Sequence, residues 1–247
     1  MHKGIIIFIG VVMMACTPKP TAQEVVDAAI NAAGLTSIHS SKGSFDFRDK
    51  SYEFRRQDGL FIYSRIQSDS TGAIIRDVYS NNGLERFIND TIAEISDEKR
   101  SAYANSVNSV IYFAFLPLWL NDEAVNKLYV GEELINGKAF HKVSVTFQQE
   151  GGGKDFEDVF LYWFDKEDYS TDFIAYSYIT DGGGVRFREA YNARKVNGVI
   201  VQDYRNYKPK DKNSDLMEIG KAFDAGELEL LSTIDLKNVE ISSSMNE

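Results

Sequence analysis

The sequence predicts an α+β chain: one domain in which a strongly curved antiparallel sheet of about ten or eleven strands, a half-barrel, carries two or three helices in or over its concave face. Three observations predict it. Short segments alternating apolar and polar residues recur through most of the chain, with turn residues between them. Helix caps with helical spacing are few. An uncharged run, Val110-Ile-Tyr-Phe-Ala-Phe-Leu-Pro-Leu-Trp-Leu120, lies between two sets of such segments and needs a concave surface to cover it. Of the 247 residues, 43% are hydrophobic and 13% aromatic, which fills one core and excludes a disordered chain. A net charge of −10 argues against nucleic acid, because there is no basic excess to displace counterions from phosphates. One cysteine and three histidines leave no disulfide framework and little material for a metal site, and no cofactor is expected.

Taken in order, residues 1–15 read as a signal peptide. Lys3 charges the n-region, and Gly4–Met14 is an apolar segment shorter than the ~20 residues a membrane-crossing helix needs. Met13-Met14-Ala15-Cys16 resembles the bacterial lipobox, and the chain's single cysteine sits in it. That resemblance implies an acylated Cys16, a lipidated tether over residues 16–20, and the membrane as a partner. Thr17 stands where aspartate serves as a retention signal in some Gram-negative lipoproteins, so the expected location is the outer membrane, facing the periplasm. The domain then spans residues 21–247.

Thr21-Ala-Gln-Glu24 is a capping box, followed by Val25, Val26, Ala29, Ile30 and Ala33 at helical spacing and by Gly34 as a stop. A meander follows to about Asn89, with turns at Asp58-Gly59, Thr71-Gly72 and Asn81-Asn82-Gly83. Ser96 caps a second helix with Asp97 and Glu98 in its first turn. That helix leads into the 110–120 run, which Pro117 bends or ends. A second meander has strands near 128–135, 138–149, 156–166, 171–181, 184–195 and 198–207, turning at Asn136-Gly137, Gly151–Gly153, Asp181–Gly184 and Asn197-Gly198. A short helix around Asp215–Asp224 and an apolar segment, Leu228–Ile234, complete the chain.

The order of elements resembles the half-barrel of the periplasmic lipoprotein carrier and its outer-membrane receptor, the LolA and LolB type. Asp158-Val-Phe-Leu-Tyr-Trp-Phe164, Ala175-Tyr-Ser-Tyr178, Gly182-Gly-Gly-Val-Arg-Phe-Arg-Glu-Ala-Tyr-Asn192 and Asp203-Tyr-Arg-Asn-Tyr207 resemble a family of Gram-negative envelope lipoproteins with no established activity. The resemblance implies a location and a fold type and carries over no catalytic residue.

Motifs for nucleophilic catalysis, zinc hydrolysis and phosphate loops are absent. Ser96-Asp-Glu-Lys99 matches Ser-x-x-Lys, but Ser-Asp-Asn and Lys-Thr-Gly do not accompany it, and a helix cap explains the serine. His141 shares a face with Val143, Val145 and Phe147; it either lines a cavity as an acid–base group or is a hydrogen-bonded core histidine. Val159, Leu161 and Trp163 alternate with Phe160, Tyr162 and Phe164, so both faces of that strand are covered or one meets a ligand. Arg186, Arg188 and Asn192 share one face of the next hairpin, with Phe187, Glu189 and Tyr191 on the other; a glutamate among aromatics needs Arg205 or Arg194 as partner. The expected function is non-covalent binding of a lipid, an acyl chain or a lipidated partner in an apolar cavity, which movement of the 110–120 segment uncovers. Candidate ligand contacts are Phe113, Phe115, Trp119, His141, Trp163, Tyr176, Tyr178, Phe187, Glu189 and Tyr191. The alternatives are an envelope hydrolase using Glu189 and Asp203 as paired carboxylates, or a scaffolding lipoprotein with no small-molecule site.

Overall fold

A computed structural model describes residues 19–150, 156–179, 182–211 and 214–244. The signal segment, Cys16 and the Gly151–Gly153 turn lie outside the described residues. Helix α1 (Ala22–Ala32) begins at the capping box, where the Thr21 amide donates to Glu24 at 2.7 Å and the Glu24 amide donates to the Thr21 hydroxyl at 3.2 Å. Gly34 follows with φ +67°, and a Cβ there would lie 2.3 Å from the Gly198 carbonyl oxygen. A side chain is excluded by both backbone conformation and space.

The first meander comprises β1 (Ser41–Phe47), β2 (Lys50–Gln57), β3 (Leu60–Ser68), β4 (Ile74–Ser80), β5 (Gly83–Ile88) and the two-residue β6 (Thr91–Ile92). The second comprises β7 (Val125–Ile135), β8 (Lys138–Phe147), β9 (Val159–Asp165), β10 (Thr171–Tyr178), β11 (Gly184–Val196), β12 (Val199–Pro209) and β13 (Leu228–Ile234). Asn136-Gly137 and Asn197-Gly198 both place their two residues at positive φ, the backbone a tight two-residue hairpin requires. A last strand, β14 (Leu236–Ser243), returns to pair with β1. The result is two open seven-stranded antiparallel sheets, ordered β14-β1-β2-β3-β4-β5-β6 and β13-β12-β11-β10-β9-β8-β7. Among the described residues there are thus more strands than the ten or eleven expected. The additions are the minimal β6, the Leu228–Ile234 segment as a strand, and β14.

Between β13 and β14 stands one residue, Asp235, where the chain passes from the edge of one sheet to the edge of the other. Asp203, 3% exposed, holds this crossing. One carboxylate oxygen accepts the Leu236 amide at 2.9 Å and lies 3.2 Å from Arg194, and the other accepts the Asn192 side-chain amide at 2.6 Å. Arg194 also donates to the Leu236 carbonyl, and the Tyr191 hydroxyl donates to Asp235.

The enclosed space is mostly filled by the protein itself. Val25, Val26, Ala29 and Ile30 of α1, and Phe115 through Leu120, are buried in the core shared by the two sheets. Helix α2 (Asp97–Ala114) starts at Ser96 as expected but buries only Val107 and Ile111 fully. Polar contacts fix the rest of it to the first sheet. Asp77, wholly buried, accepts from Arg65 at 2.6 and 3.1 Å and from Arg86 at 2.6 and 2.9 Å; Arg65 reaches Ser106 of α2 at 2.7 Å, and Arg86 lies 3.6 Å from the Tyr103 ring centre. The short helix α3 (Ile219–Asp224) covers the opposite face of the second sheet. There Ile219 and Phe223 pack on Leu161, Trp163, Phe173 and Phe187. Strand β9 is therefore apolar on both faces because both are covered by protein.

Replacing Asp77 with alanine leaves two arginines in a buried site without their counter-charge. Chemical denaturation is expected to show a loss of about 3–5 kcal/mol, and a loss under about 1 kcal/mol would contradict this reading of the triad.

Candidate functional site

A cavity of about 350 Å³ remains between the sheets beside the crossing at Asp235. Val110, Phe113 and Ala114 from α2 form one apolar wall, and Phe47, Ile234 and Leu236 form another. Its polar lining comes from Tyr176 on β10, Arg188 on β11 and Gln202, Tyr204 and Asn206 on β12, with Arg48, Ser109 and Ser232. Burial raises the pKa of Tyr204, so its phenol stays protonated as a neutral hydrogen-bonding group at physiological pH. Gln202 donates to the Tyr204 hydroxyl at 2.7 Å and to the Thr171 carbonyl at 2.8 Å.

The alternation of β11 sends Phe187 outward, onto Phe223 at 4.7 Å between ring centres, and therefore sends Arg188 inward. Arg188 is 9% exposed. Its guanidinium lies 4.3 Å from the centre of the Phe113 ring and donates to the Tyr176 hydroxyl at 3.1 Å. Its Nε has no hydrogen-bond partner among the described residues, nor does the Asn206 side-chain oxygen.

The candidate residues do not converge on one place. Phe113 and Tyr176 line this cavity, with their ring centres 6.0 Å apart. Phe115 and Trp119 are core residues: Phe115 packs edge-on against Phe54 at 4.8 Å, and the Trp119 indole N–H donates to the Tyr112 carbonyl at 3.0 Å. Trp163 and Phe187 lie on the opposite face beneath α3, and the Trp163 N–H donates to Glu133, which also pairs with the buried Lys142 at 2.6 Å. Tyr178 stacks with Arg186 at 4.9 Å. Glu189 accepts from Arg205 at 3.3 Å and from the Tyr207 hydroxyl at 3.0 Å, while Tyr191 serves the crossing at Asp235. Arg205 is thus the partner of Glu189, and Arg194 belongs to Asp203. Both acids of the hydrolase alternative are engaged in structural pairing. No cluster of three or more metal-ligating side chains occurs among the described residues, and no described helix is long and apolar enough to cross a membrane.

Arg188 was visible in the sequence as one of three polar residues on a face, but alternation alone does not say which face turns inward when both are covered. The signal that identifies it is three-dimensional: a buried cation with no carboxylate paired to it among the described residues.

The profile of one protein family, described as "Family of unknown function (DUF6503)", matches residues 3–236, and the chain belongs to that family. No curated protein matches it. Among solved structures, a LolA superfamily protein from Nitrosomonas europaea is similar over 90% of this chain and 94% of its own, with 10% sequence identity and a TM-score of 0.50. A DUF1329 family protein from Desulfovibrio piger is similar over 92% of this chain and 94% of its own, with 11% identity and a TM-score of 0.45. The fold is LolA-like, with both sheets open.

His141 is 5% exposed, its Nδ1 lies 3.0 Å from the Tyr129 hydroxyl, and its ring stacks on Tyr169. Burial, aided by Lys166, lowers its pKa below the ordinary 6.5. The unfolded chain therefore takes up a proton near pH 6.5 while the folded chain resists it, so this residue's effect is to reduce stability as pH falls through 6.5 toward the lowered value. His39 is displaced in the same direction. The His141→Gln variant is expected to show a shallower fall of melting temperature between pH 7 and about 5.5 than the parent. Equal slopes would contradict the assignment.

Proposed function

We propose that this member of the DUF6503 family is a lipid-anchored protein of the cell envelope that binds one acyl chain or single-chain lipid in the cavity between its sheets. The observation that carries the reading is that cavity of about 350 Å³, with Val110, Phe113, Ala114, Ile234 and Leu236 as its apolar lining. Its size is at the small end of the roughly 300–1,000 Å³ typical of ligand pockets, which suits one chain better than the several chains of an acylated cysteine. Transfer of apolar surface from water supplies affinity at about 25 cal/mol per Å². The LolA-like fold supports the reading at the level of architecture alone.

The moving wall is α2 and not the whole 110–120 segment. Phe115–Leu120 is packed in the core, and displacing it would expose Phe115, Leu118, Trp119 and Leu120. The Ser106 and Tyr103 contacts hold the first part of α2 to the first sheet, so the part that moves is its last turn, where Val110, Phe113 and Ala114, none of them fully buried, form the cavity wall.

The anchor is Cys16, diacylated and then made the first residue by removal of residues 1–15, with the outer membrane as destination and the periplasm as the compartment the domain faces. Acyl chains contribute about 0.8 kcal/mol per buried CH₂, so two or more hold an acidic protein on a membrane surface that repels it.

Metabolic labelling with an alkynyl palmitate should mark the parent protein and not Cys16→Ser; equal labelling of both would remove the anchor from the proposal. Cys16→Ser protein prepared without detergent should carry one co-purifying amphiphile in native mass spectrometry. Ile234→Trp, which fills the cavity, should lose it. A bare protein mass in a folded sample would reject the cavity as a lipid site.

A further inference from the structure

We infer that Arg188 fixes the anionic head of the bound amphiphile, so the ligand is a single-chain lipid ending in a carboxylate or phosphate. This rests on the reading of the cavity as a lipid site and adds the charge and orientation of the ligand. The chain as a whole has 37 acidic against 27 basic residues, yet the cavity lining holds Arg48 and Arg188 and no aspartate or glutamate. Chance placement on so acidic a protein would favour the opposite sign.

The two buried arginine sites contrast. Arg65 is held by the buried carboxylate of Asp77. Arg188 is equally enclosed, but its polar contact is the Tyr176 hydroxyl, its nearest faces are the Phe113 and Tyr176 rings, and its Nε has no partner among the described residues. Removing a cation from water without an anion is costly, and a ligand carboxylate or phosphate supplies that anion through charge-assisted hydrogen bonds. Arg48, an exposed lining residue, adds attraction toward the same sign of charge.

The test places the full chain in phosphatidylcholine vesicles and offers three photoreactive probes of equal chain length: a fatty acid, a lysophosphatidic acid and a fatty alcohol. Mass spectrometry reads labelling of peptides from α2, β11 and β12. At least one anionic probe is expected to label at least tenfold more than the alcohol. Preference for the fatty acid assigns a carboxylate head, and preference for the lysophosphatidic acid assigns a phosphate. Arg188→Met should erase the preference while retaining alcohol labelling, with a melting temperature no lower than the parent's, and Arg188→Lys should keep part of it.

Equal labelling by all three probes in the parent, or an undiminished anionic preference in Arg188→Met, would overturn the inference and leave the lipid cavity standing. A lower melting temperature for Arg188→Met would mark Arg188 as a structural residue and overturn it too. Labelling by none of the probes would overturn both.

Discussion

The join between the two sheets depends on one buried carboxylate, Asp203. The fourteen strands of the described residues divide into two sheets at α2, between β6 and β7, and the last strand, β14, returns across Asp235 from the edge of the second sheet to pair with β1 at the edge of the first. Asp203 makes that crossing possible: it satisfies the Leu236 amide just after the turn and binds Arg194 and Asn192 from the neighbouring strand. Without it, the Leu236 amide would lose its acceptor and Arg194 the carboxylate 3.2 Å away. The residues on either side of the crossing, Ile234 and Leu236, are also cavity wall. The same hydrogen bonds that join the sheets therefore determine where the space between them remains open.

The second meander was legible almost strand by strand, since alternation and Asn-Gly turns are local signals and the observed β7–β12 fall close to the expected segments. The capping box at Thr21, the cap at Ser96 and burial of Phe115–Leu120 were legible for the same reason. Strand β14 was not, because its partner β1 is about 200 residues earlier and nothing within Leu236–Ser243 records that distant edge. Sidedness was the second loss. On β9, Leu161 and Trp163 face α3 while Phe160, Tyr162 and Phe164 face the main core, so hydrophobicity does not mark the inside. On β11 that ambiguity drew attention to Phe187 and Glu189 and away from Arg188.

The interior holds charge in two distinct ways. At Arg65–Asp77–Arg86 and at Asp203–Arg194, opposite charges and hydrogen bonds meet each other, and the result is attachment of one element to another. At Arg188, the enclosing groups are aromatic rings, a phenol and an amide oxygen that itself lacks a partner. The first kind of site is complete within the chain; the second has room beside it and an electrostatic deficit. That difference turns a gap in packing into a candidate binding site with a preferred sign of charge.

The most direct measurement is an experimental structure of the protein isolated from its native envelope without detergent. The account predicts continuous chain-like density between the α2 wall and the Ile234–Leu236 wall, ending in an acidic group within hydrogen-bond distance of the Arg188 guanidinium. A space occupied by ordered water alone, or closed by rearranged side chains, would contradict it.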